Sequence, residues 1–239
     1  MQDLDATLAA IRSAPTRRKL WTLTIDYFEE RGIDRMSYHV AATKTHEAGI
    51  VSHGFPDDWV CHYIGDDLIK IDPIPALAAV LAEPFHWSEA ALLAEMTPEN
   101  MAYLDDMREN LPGDGLAFTV FGPRMRNAYV GLGYTEPKQA PDSETILEFQ
   151  TVAQMAHLRW CALTDAGEEP PPRLSRREHQ VLELAAQGKS NSVIAQLLNV
   201  SPHTVDTLLR RIYDKLGVAD RTSASIKAIG SGLLQSSRS

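Results

Sequence analysis

Apolar residues recur at helical spacing in the last third of the chain, between Leu174 and Leu234. Ser175 and Glu178 have the spacing of a capping box, which predicts the start of a first helix. Gly188 suits a left-handed C-terminal cap and predicts its end. The inward positions of this helix are Val181, Leu182 and Ala185.

Three more helices follow at short intervals. Ser190 or Asn191 can cap the second, and Ser201 before Pro202 is a favourable start for the third. A fourth helix is expected at about Ser223–Leu234. The apolar stripe of the third helix comprises Val205, Leu208, Leu209, Ile212 and Leu216.

A short turn between the second and third helices favours a helix-turn-helix, a motif that places its second helix in the major groove of DNA. A helical bundle with a solvated basic face is the alternative. DNA binding is the preferred interpretation because hydroxyl and basic residues occupy the outward positions. The candidate DNA contacts are Ser190, Asn191, Ser201, His203, Thr204, Thr207, Arg210, Arg211 and Lys215.

Charge is distributed unevenly along the chain. From Arg173 onward there are ten Lys and Arg against five Asp and Glu, whereas the preceding residues carry 13 and 27. The overall net charge of −9 therefore hides a basic C-terminal module, to which nucleic acid should bind. The boundary falls in a charged segment that ends in three prolines, so we predict domains at 1–163 and 174–239 joined by a linker at 164–173.

The first 163 residues mix both periodicities, which predicts an α+β domain with an antiparallel sheet and helices on its faces. The predicted helices are Leu4–Ile11, Arg17–Arg31, Pro56–Gly65, Pro75–Leu81, Pro98–Glu109 and Asp142–Leu163. The predicted strands are Met36–Ala42, Ile50–His53, Gly115–Phe121 and Ala128–Thr135, the last two as a hairpin.

Aromatic residues cluster between Phe55 and Trp87. Trp59 and Tyr63 lie four residues apart on one helical face, and Asp72 precedes a proline at the end of an apolar segment. Such a composition fits an apolar pocket with a few polar groups, but also an ordinary aromatic core. Spacing alone favours the core.

Two sets of motifs resemble one known family. The C-terminal run L-S-x-R-E-x-x-V-L, followed by I-A-x-x-L, S-x-x-T-V and K-L-G-V-x-x-R-T, resembles the LuxR-type helix-turn-helix. The upstream run F-P-x-x-W-x-x-x-Y, then D-P and W, resembles the autoinducer-binding domain of LuxR-type quorum-sensing receptors. The resemblance implies an N-terminal α/β/α sandwich that binds an N-acyl-L-homoserine lactone, and a C-terminal four-helix DNA-binding domain.

The resemblance also implies roles for individual residues. Trp59 would donate to the lactone carbonyl, Tyr63 to the acyl carbonyl, and Asp72 would accept from the amide N–H. Trp87 would pack on the lactone ring, and Gly115 matches a glycine near the ligand. Pro73 completes the D-P motif.

Four positions depart from the family pattern. Leu208 stands where many members have His, and Phe55 where many have Tyr. Gly131 and Gly133 stand in a region where relatives often place Ser or Thr. Glycine in a strand marks close approach of another group. We therefore hypothesise that Gly131 and Gly133 make room for a bulky, branched or aromatic acyl group.

Other candidate chemistry is weaker. The acidic pairs at 57–58, 66–67 and 105–106 are expected on the surface rather than at a metal. Cys61 and Cys161 are expected to pack as small apolar residues. His53, His62 and His86 are expected in structural or surface positions, with His86 also able to line the pocket. We find no nucleophile, catalytic residue or metal motif, and expect neither enzyme activity nor a cofactor beyond the signal.

The combined expectation is a cytoplasmic homodimer that binds the signal and a roughly palindromic promoter site, and that contacts RNA polymerase. No segment has the roughly 18 apolar residues of a membrane span, and no secretory signal begins the chain. A response regulator or a ligand-independent LuxR-type factor is the alternative. An enzyme fused to a DNA-binding domain is a third class. The acyl group, the operator, and whether the signal promotes or abolishes DNA binding stay open.

Overall fold

The computed structural model describes residues 3–40, 49–136, 140–165 and 172–234. The chain divides into two compact units, Met1–Ala166 and Gly167–Ser239, which are described separately. A helix continues to Asp165, two residues into the predicted linker, and residues 166–171 lie outside the described ranges. The predicted linker limits stay a prediction.

The first unit contains seven helices and five strands within the described residues. The helices are α1 (Leu4–Ser13), α2 (Arg17–Glu29), α3 (Asp57–Gly65), α4 (Pro73–Val80), α5 (Ala90–Leu93), α6 (Pro98–Asn110) and α7 (Ser143–Asp165). The strands are β1 (Arg35–Val40), β2 (Gly49–His53), β3 (Phe85–His86), β4 (Asp114–Val120) and β5 (Ala128–Tyr134). Short 3₁₀ helices occupy Leu68–Lys70, Trp87–Glu89 and Pro123–Met125.

The five strands form one antiparallel sheet in the order β2-β1-β5-β4-β3. Side chains alternate between its faces, so each face builds its own core. One core joins the sheet to α1, α2 and α7. The other joins it to α3, α4, α5 and α6. The predicted α/β/α sandwich is therefore confirmed.

Several element limits differ from the sequence-based expectation. Helix α4 begins two residues before Pro75, because the Asp72 side chain caps it and Pro73 occupies its first turn. Strand β1 covers Arg35–Val40, and Ala41 and Ala42 of the predicted strand lie outside the described residues. The two-residue strand β3 was not predicted, because so short a segment carries no measurable alternation.

The second unit contains the four expected helices: α8 (Arg176–Ala186), α9 (Asn191–Leu198), α10 (Pro202–Leu216) and α11 (Arg221–Gly230). They enclose one apolar core, and Ser175 and Glu178 form the predicted capping box. Helix α11 starts and ends earlier than predicted, since Asp220 caps it and Gly232 turns the chain with a φ of 73°.

Candidate ligand pocket and nucleic-acid interface

A pocket lies between the sheet and helices α3, α4 and α6. Its volume is about 530 Å³, including the part that opens to solvent. The sheet supplies residues of β1, β2 and β5, and helices α3 and α6 supply three of the six Phe, Trp and Tyr rings. The lining residues are Ser37, His39, Ile50, Ser52, Phe55, Trp59, Val60, Tyr63, Ile64, Asp72, Ile74, Trp87, Tyr103, Met107, Leu111 and Tyr129.

Five of the nine ligand contacts proposed from the sequence line this pocket: Phe55, Trp59, Tyr63, Asp72 and Trp87. Helix α3 brings two of them together, because residues four apart share a helical face. Trp59 and Tyr63 accordingly point inward, and both are buried. The aromatic residues thus form a pocket wall as well as part of a core, so the two interpretations of the sequence are compatible.

Asp72 is the N-cap of α4, and protein groups already surround its carboxylate. Oδ1 accepts from the Ile74 backbone N–H at 2.9 Å. Oδ2 accepts from the hydroxyls of Tyr63 at 2.9 Å and Tyr103 at 3.1 Å. Burial raises the pKa of Asp72 to about 6, and the three hydrogen bonds limit that rise. The carboxylate is therefore stabilised without a ligand.

The phenols around Asp72 remain neutral donors. Burial, together with the charge of Asp72, raises the pKa of Tyr63 and of Tyr103 far above the ordinary value. Burial and the same carboxylate also raise the pKa of Tyr129. A phenol has one proton, so Tyr63 cannot donate to Asp72 and to a bound carbonyl at the same time.

Trp87 lies flat against two glycines of the sheet. A Cβ atom on Gly115 would come within 2.4 Å of Trp87 Cδ2, and one on Gly133 within 3.0 Å of Cη2. The ring of Phe55 stacks on the other side, with centroids 6.5 Å apart. The indole Nε1 of Trp87 is buried close to the Tyr129 hydroxyl.

The hypothesis that Gly131 and Gly133 open space for a bulky acyl group is wrong. A Cβ on Gly131 would lie 2.5 Å from the Tyr129 hydroxyl and 2.6 Å from Ser37 Oγ. A Cβ on Gly133 would meet Trp87 and Arg35. The space above both glycines is filled by the protein's own side chains, and neither glycine lines the pocket.

Two other candidate ligand residues support the pocket from behind. Pro73 is buried in the first turn of α4 and holds Asp72 in the extended conformation of an N-cap. Gly115 permits the close approach of Trp87. Neither side chain is part of the pocket lining.

Sequence reasoning missed five polar lining residues: Ser37, His39, Ser52, Tyr103 and Tyr129. Alternation in β1 places Ser37 and His39 on one face, and that signal was available in the sequence. The position of Tyr103 depends on how α6 packs against α3, which no local pattern specifies. Its hydroxyl reaches Asp72 across 31 residues of sequence.

The cysteines and histidines depart in part from expectation. Cys161 is buried as predicted, whereas Cys61 is exposed on α3 and is not a packing residue. His86 does not line the pocket, because its Nδ1 pairs with the Tyr134 hydroxyl at 3.0 Å. His53 pairs with Glu29 at the surface.

The acidic pairs are mostly exposed, as expected. His62 nevertheless contacts one member of each of two pairs, Asp66 at 2.8 Å and Asp106 at 3.0 Å. The hydrogen bonds to Asp106 and Asp66 raise the pKa of His62. Among the described residues, no group of three or more His, Cys, Asp or Glu side chains is arranged to hold a metal ion.

The second unit positions α10 as the outer helix of a helix-turn-helix. Ser190 caps α9, the left-handed Asn199 forms the turn, and Ser201 caps α10. Arg221 of α11 stabilises this arrangement by donating to Asn191 Oδ1 at 3.0 Å and to the Ala185 carbonyl at 3.1 Å.

The outward face of α10 contains most of the candidate DNA contacts. His203, Thr204, Arg210 and Arg211 are exposed, and Thr207 is half-buried. The side chains of two candidates pair with side chains of other helices in the domain. Lys215 donates to Glu178 Oε2 at 2.7 Å, and Asn191 donates to Asp206 Oδ1 at 2.7 Å.

No helix in the described ranges is long and apolar enough to span a membrane. The protein is a ligand-responsive regulator of transcription, because one domain encloses an aromatic pocket and the other presents a helix-turn-helix. Comparison with known proteins specifies the family.

A family model for the autoinducer binding domain matches residues 16–160, and one for bacterial regulatory proteins of the luxR family matches residues 172–228. The chain therefore belongs to the LuxR family of quorum-sensing transcriptional regulators. It is 28% identical over 203 residues to the HTH-type quorum sensing-dependent transcriptional regulator RpaR of Rhodopseudomonas palustris. The alignment covers 83% of this chain and 82% of RpaR.

Two solved structures share the fold. Escherichia coli SdiA superposes with a TM-score of 0.73 at 18% identity, covering 97% of this chain and 98% of that one. The N-acylhomoserine-lactone-dependent LuxR-family factor CepR2 of Burkholderia cenocepacia superposes with a TM-score of 0.50 at 20% identity, covering 67% of this chain and 92% of that one.

Proposed function

We propose that this regulator binds an N-acyl-homoserine lactone in its N-terminal pocket and acts as a homodimer at roughly palindromic promoter DNA. The carboxylate of Asp72, buried at the pocket wall among hydroxyl donors, carries the proposal. A buried carboxylate suits a ligand with an N–H to donate, since charge-assisted hydrogen bonds are the stronger kind. The amide of an acyl-homoserine lactone is such a donor, and CepR2, which has the same fold, is lactone-dependent.

The remaining polar groups match the carbonyls of the same ligand. The indole N–H of Trp59 donates to the lactone carbonyl, and Tyr63 donates to the acyl carbonyl after giving up its bond to Asp72. Tyr103 keeps its own bond to Asp72, so the carboxylate stays paired when Tyr63 turns. Trp87, held between Phe55 and Gly115, packs on the lactone ring.

Supporting roles fall to the glycines and the proline. Pro73 fixes the conformation that points Asp72 into the pocket. Gly115, Gly131 and Gly133 allow Trp87 and Tyr129 to lie against the sheet, and so set the position of the pocket floor.

DNA binding rests on the outer face of α10. Arg210 and Arg211 are exposed and form no hydrogen bond or ion pair within the described residues, so both are available to phosphates or base edges. Shorter polar groups on the same helix come from His203, Thr204 and Thr207. The N-termini of α9 and α10, capped by Ser190 and Ser201, face the phosphates of the DNA backbone. Asn191 and Lys215 act through the domain's internal contacts.

Ligand and DNA are coupled by mass action. A ligand that binds only the folded sensory domain stabilises it by about 2.7 kcal/mol at one hundred times its dissociation constant. More folded protein then yields more dimer, and a dimer presents two α10 helices to half-sites about one helical turn of DNA apart. Contact between the DNA-bound dimer and RNA polymerase is the last step of the proposal.

Tryptophan fluorescence tests the proposal on the full chain, because all four tryptophans lie in the first 160 residues. We expect a panel of short, long, branched and aryl homoserine lactones to contain at least one that raises the fluorescence melting temperature by several degrees. The corresponding fatty-acid amides, which lack the lactone, are the control. An unchanged melt across the whole panel would favour a ligand-independent regulator instead.

A response-regulator mechanism is the second alternative. Its sensory domain would accept a phosphoryl group on an aspartate, so incubation with a small phosphoryl donor would label the chain. We expect no labelling, because the five strands of the first unit form an antiparallel sheet rather than the parallel strand-helix array of a phosphorylated receiver domain.

A further inference from the structure

His39 brings an imidazole into the pocket wall where apolar side chains predominate. It projects from β1 toward the pocket, with its ring centroid 4.9 Å from that of Tyr129 and 6.0 Å from that of Tyr63. Its Nδ1 atom is buried, and no described residue forms a hydrogen bond with it. A buried polar atom without a partner costs about 1–3 kcal/mol, so this arrangement calls for a partner that the described residues do not supply.

The protonation state limits what that partner can be. Burial lowers the pKa of His39 to about 4, so the imidazole is neutral near pH 7. A neutral imidazole offers one N–H donor and one acceptor nitrogen. It therefore suits an uncharged oxygen, such as a hydroxyl or a carbonyl, rather than a carboxylate or a phosphate.

Two serines extend the polar character of the same wall. Ser37 and Ser52 are directly paired across β1 and β2, and both line the pocket. His39 is the next residue of β1 on that face, within reach of a diagonal contact with Ser52. Ser37, His39 and Ser52 together form a polar strip, opposite apolar residues such as Val60 and Met107.

The His39 end of this strip lies away from the position proposed for the lactone ring. Trp87 covers Gly133 of β5, whereas His39 pairs with Tyr129 of the same strand. Four residues along a strand correspond to about 13 Å. A ligand whose lactone packs on Trp87 and whose amide meets Asp72 therefore extends its acyl group toward His39.

On the basis of the proposed lactone function, we infer that the acyl group of the signal carries an oxygen substituent that hydrogen-bonds to His39. His39 is then a specificity-determining residue that distinguishes an oxygenated acyl group, with a keto, hydroxyl or phenol oxygen, from an unsubstituted one.

Matched ligand pairs test this inference on the purified full chain by isothermal titration. The pairs are octanoyl-homoserine lactone with its 3-oxo, 3-hydroxy and 8-hydroxy derivatives, and phenylacetyl-homoserine lactone with its 4-hydroxyphenyl derivative. We expect at least one oxygenated ligand to bind about tenfold more tightly than its parent, as one buried hydrogen bond allows.

Two substitutions assign the preference to the imidazole. His39→Phe keeps an aromatic ring but removes both nitrogens, so it should abolish the preference: each oxygenated ligand should then bind no more tightly than its own parent. His39→Gln keeps a donor and an acceptor and should retain part of the preference. The exposed His53→Phe is the control, expected to match the unsubstituted chain.

The outcomes separate this inference from the proposed function. If parent lactones bind but no oxygenated derivative binds more tightly, the inference is wrong and the lactone function stands. A preference that survives in His39→Phe overturns it equally. If no lactone binds at all, both the inference and the proposed function are wrong.

Discussion

The hydroxyl of Tyr63 donates its only proton to Oδ2 of Asp72, at 2.9 Å. Tyr103 shares the same oxygen, and the Ile74 N–H occupies Oδ1. A carboxylate offers about four acceptor positions, so about one remains for a ligand N–H. The amide of a ligand can take this position, and an exchange follows if the Tyr63 proton turns from Asp72 to the acyl carbonyl.

Replacement of Asp72 by Asn tests the central contact of this exchange. The substitution keeps the shape but can place an NH₂ donor where the ligand amide needs an acceptor. We expect lactone affinity to fall about 30–150-fold, corresponding to about 2–3 kcal/mol. Titration calorimetry on the full chain measures this loss directly.

Asp58→Asn is the matched control, since Asp58 is exposed on α3 and outside the pocket lining. It should bind the lactone as the unsubstituted chain does. Equal affinities for the Asp72 and Asp58 variants would show that Asp72 does not contact the ligand.

The raised pKa of Asp72 predicts that lactone binding depends on pH. The group has a pKa of about 6 in the folded chain and about 4 when unfolded, so its protonated form favours folding. This contribution to stability is complete below about pH 4 and is lost as pH rises through 6. The ligand amide requires the ionised form, so affinity should increase over the same interval, by about tenfold between pH 5 and pH 7.5.

Calorimetry at half-unit intervals of pH, in buffers of different ionisation enthalpy, would also show proton release on binding near pH 6. The Asp72→Asn variant should show neither effect. An affinity in the unsubstituted chain that is constant from pH 5 to pH 8 would contradict an ionised Asp72 as the acceptor.

Gly115 tests the placement of Trp87. A methyl group at residue 115 would come within 2.4 Å of the indole, so Gly115→Ala must displace Trp87 from the sheet. We expect a loss of about 1–3 kcal/mol in stability from overpacking, and at least a tenfold loss of lactone affinity. Denaturant titration followed by tryptophan fluorescence, together with calorimetry, measures both.

Gly65→Ala is the control for this substitution, because nothing lies within 4 Å of a Cβ at the end of α3. Its stability should change by less than about 1 kcal/mol. Ligand binding unaffected by Gly115→Ala would mean that Trp87 does not form the lactone-facing wall.

Local patterns predicted most of the fold because capping and periodicity determine where its helices start. The capping box of Ser175 and Glu178 is the clearest case, and the alternation of β4 and β5 specified the hairpin. Helix α4 was placed two residues late because the capping role of Asp72 depends on its side-chain rotamer, which the sequence does not show.

The pocket was predicted only as far as its motif residues. Trp59 and Tyr63 share a helical face, which sequence spacing reveals. The contacts of Tyr103 with Asp72, and of Ser37 with the region of Gly131, join segments distant in sequence. The prediction that Gly131 and Gly133 make room for the ligand was wrong for the same reason. A missing side chain indicates that another group comes close, but only the structure shows that this group is the side chain of Trp87 or Tyr129.

Arg210 and Arg211 provide the test of the DNA interface. Both are exposed on α10, and neither forms a hydrogen bond or ion pair with another described residue, so Ala substitutions should leave the melting temperature unchanged. We expect each to weaken binding to DNA selected from a random pool.

An arginine that contacts phosphate should weaken binding to all sequences and reduce the salt slope by about one. An arginine that reads guanine should instead lose about 1–3 kcal/mol of discrimination at one position. Arg177→Ala on α8, where Arg177 is exposed and donates to Gln180 Oε1 at 3.1 Å, is the control and should bind DNA normally. Unaltered DNA binding by both α10 variants at every salt concentration would place the DNA-contacting surface of this domain elsewhere than on the outer face of α10.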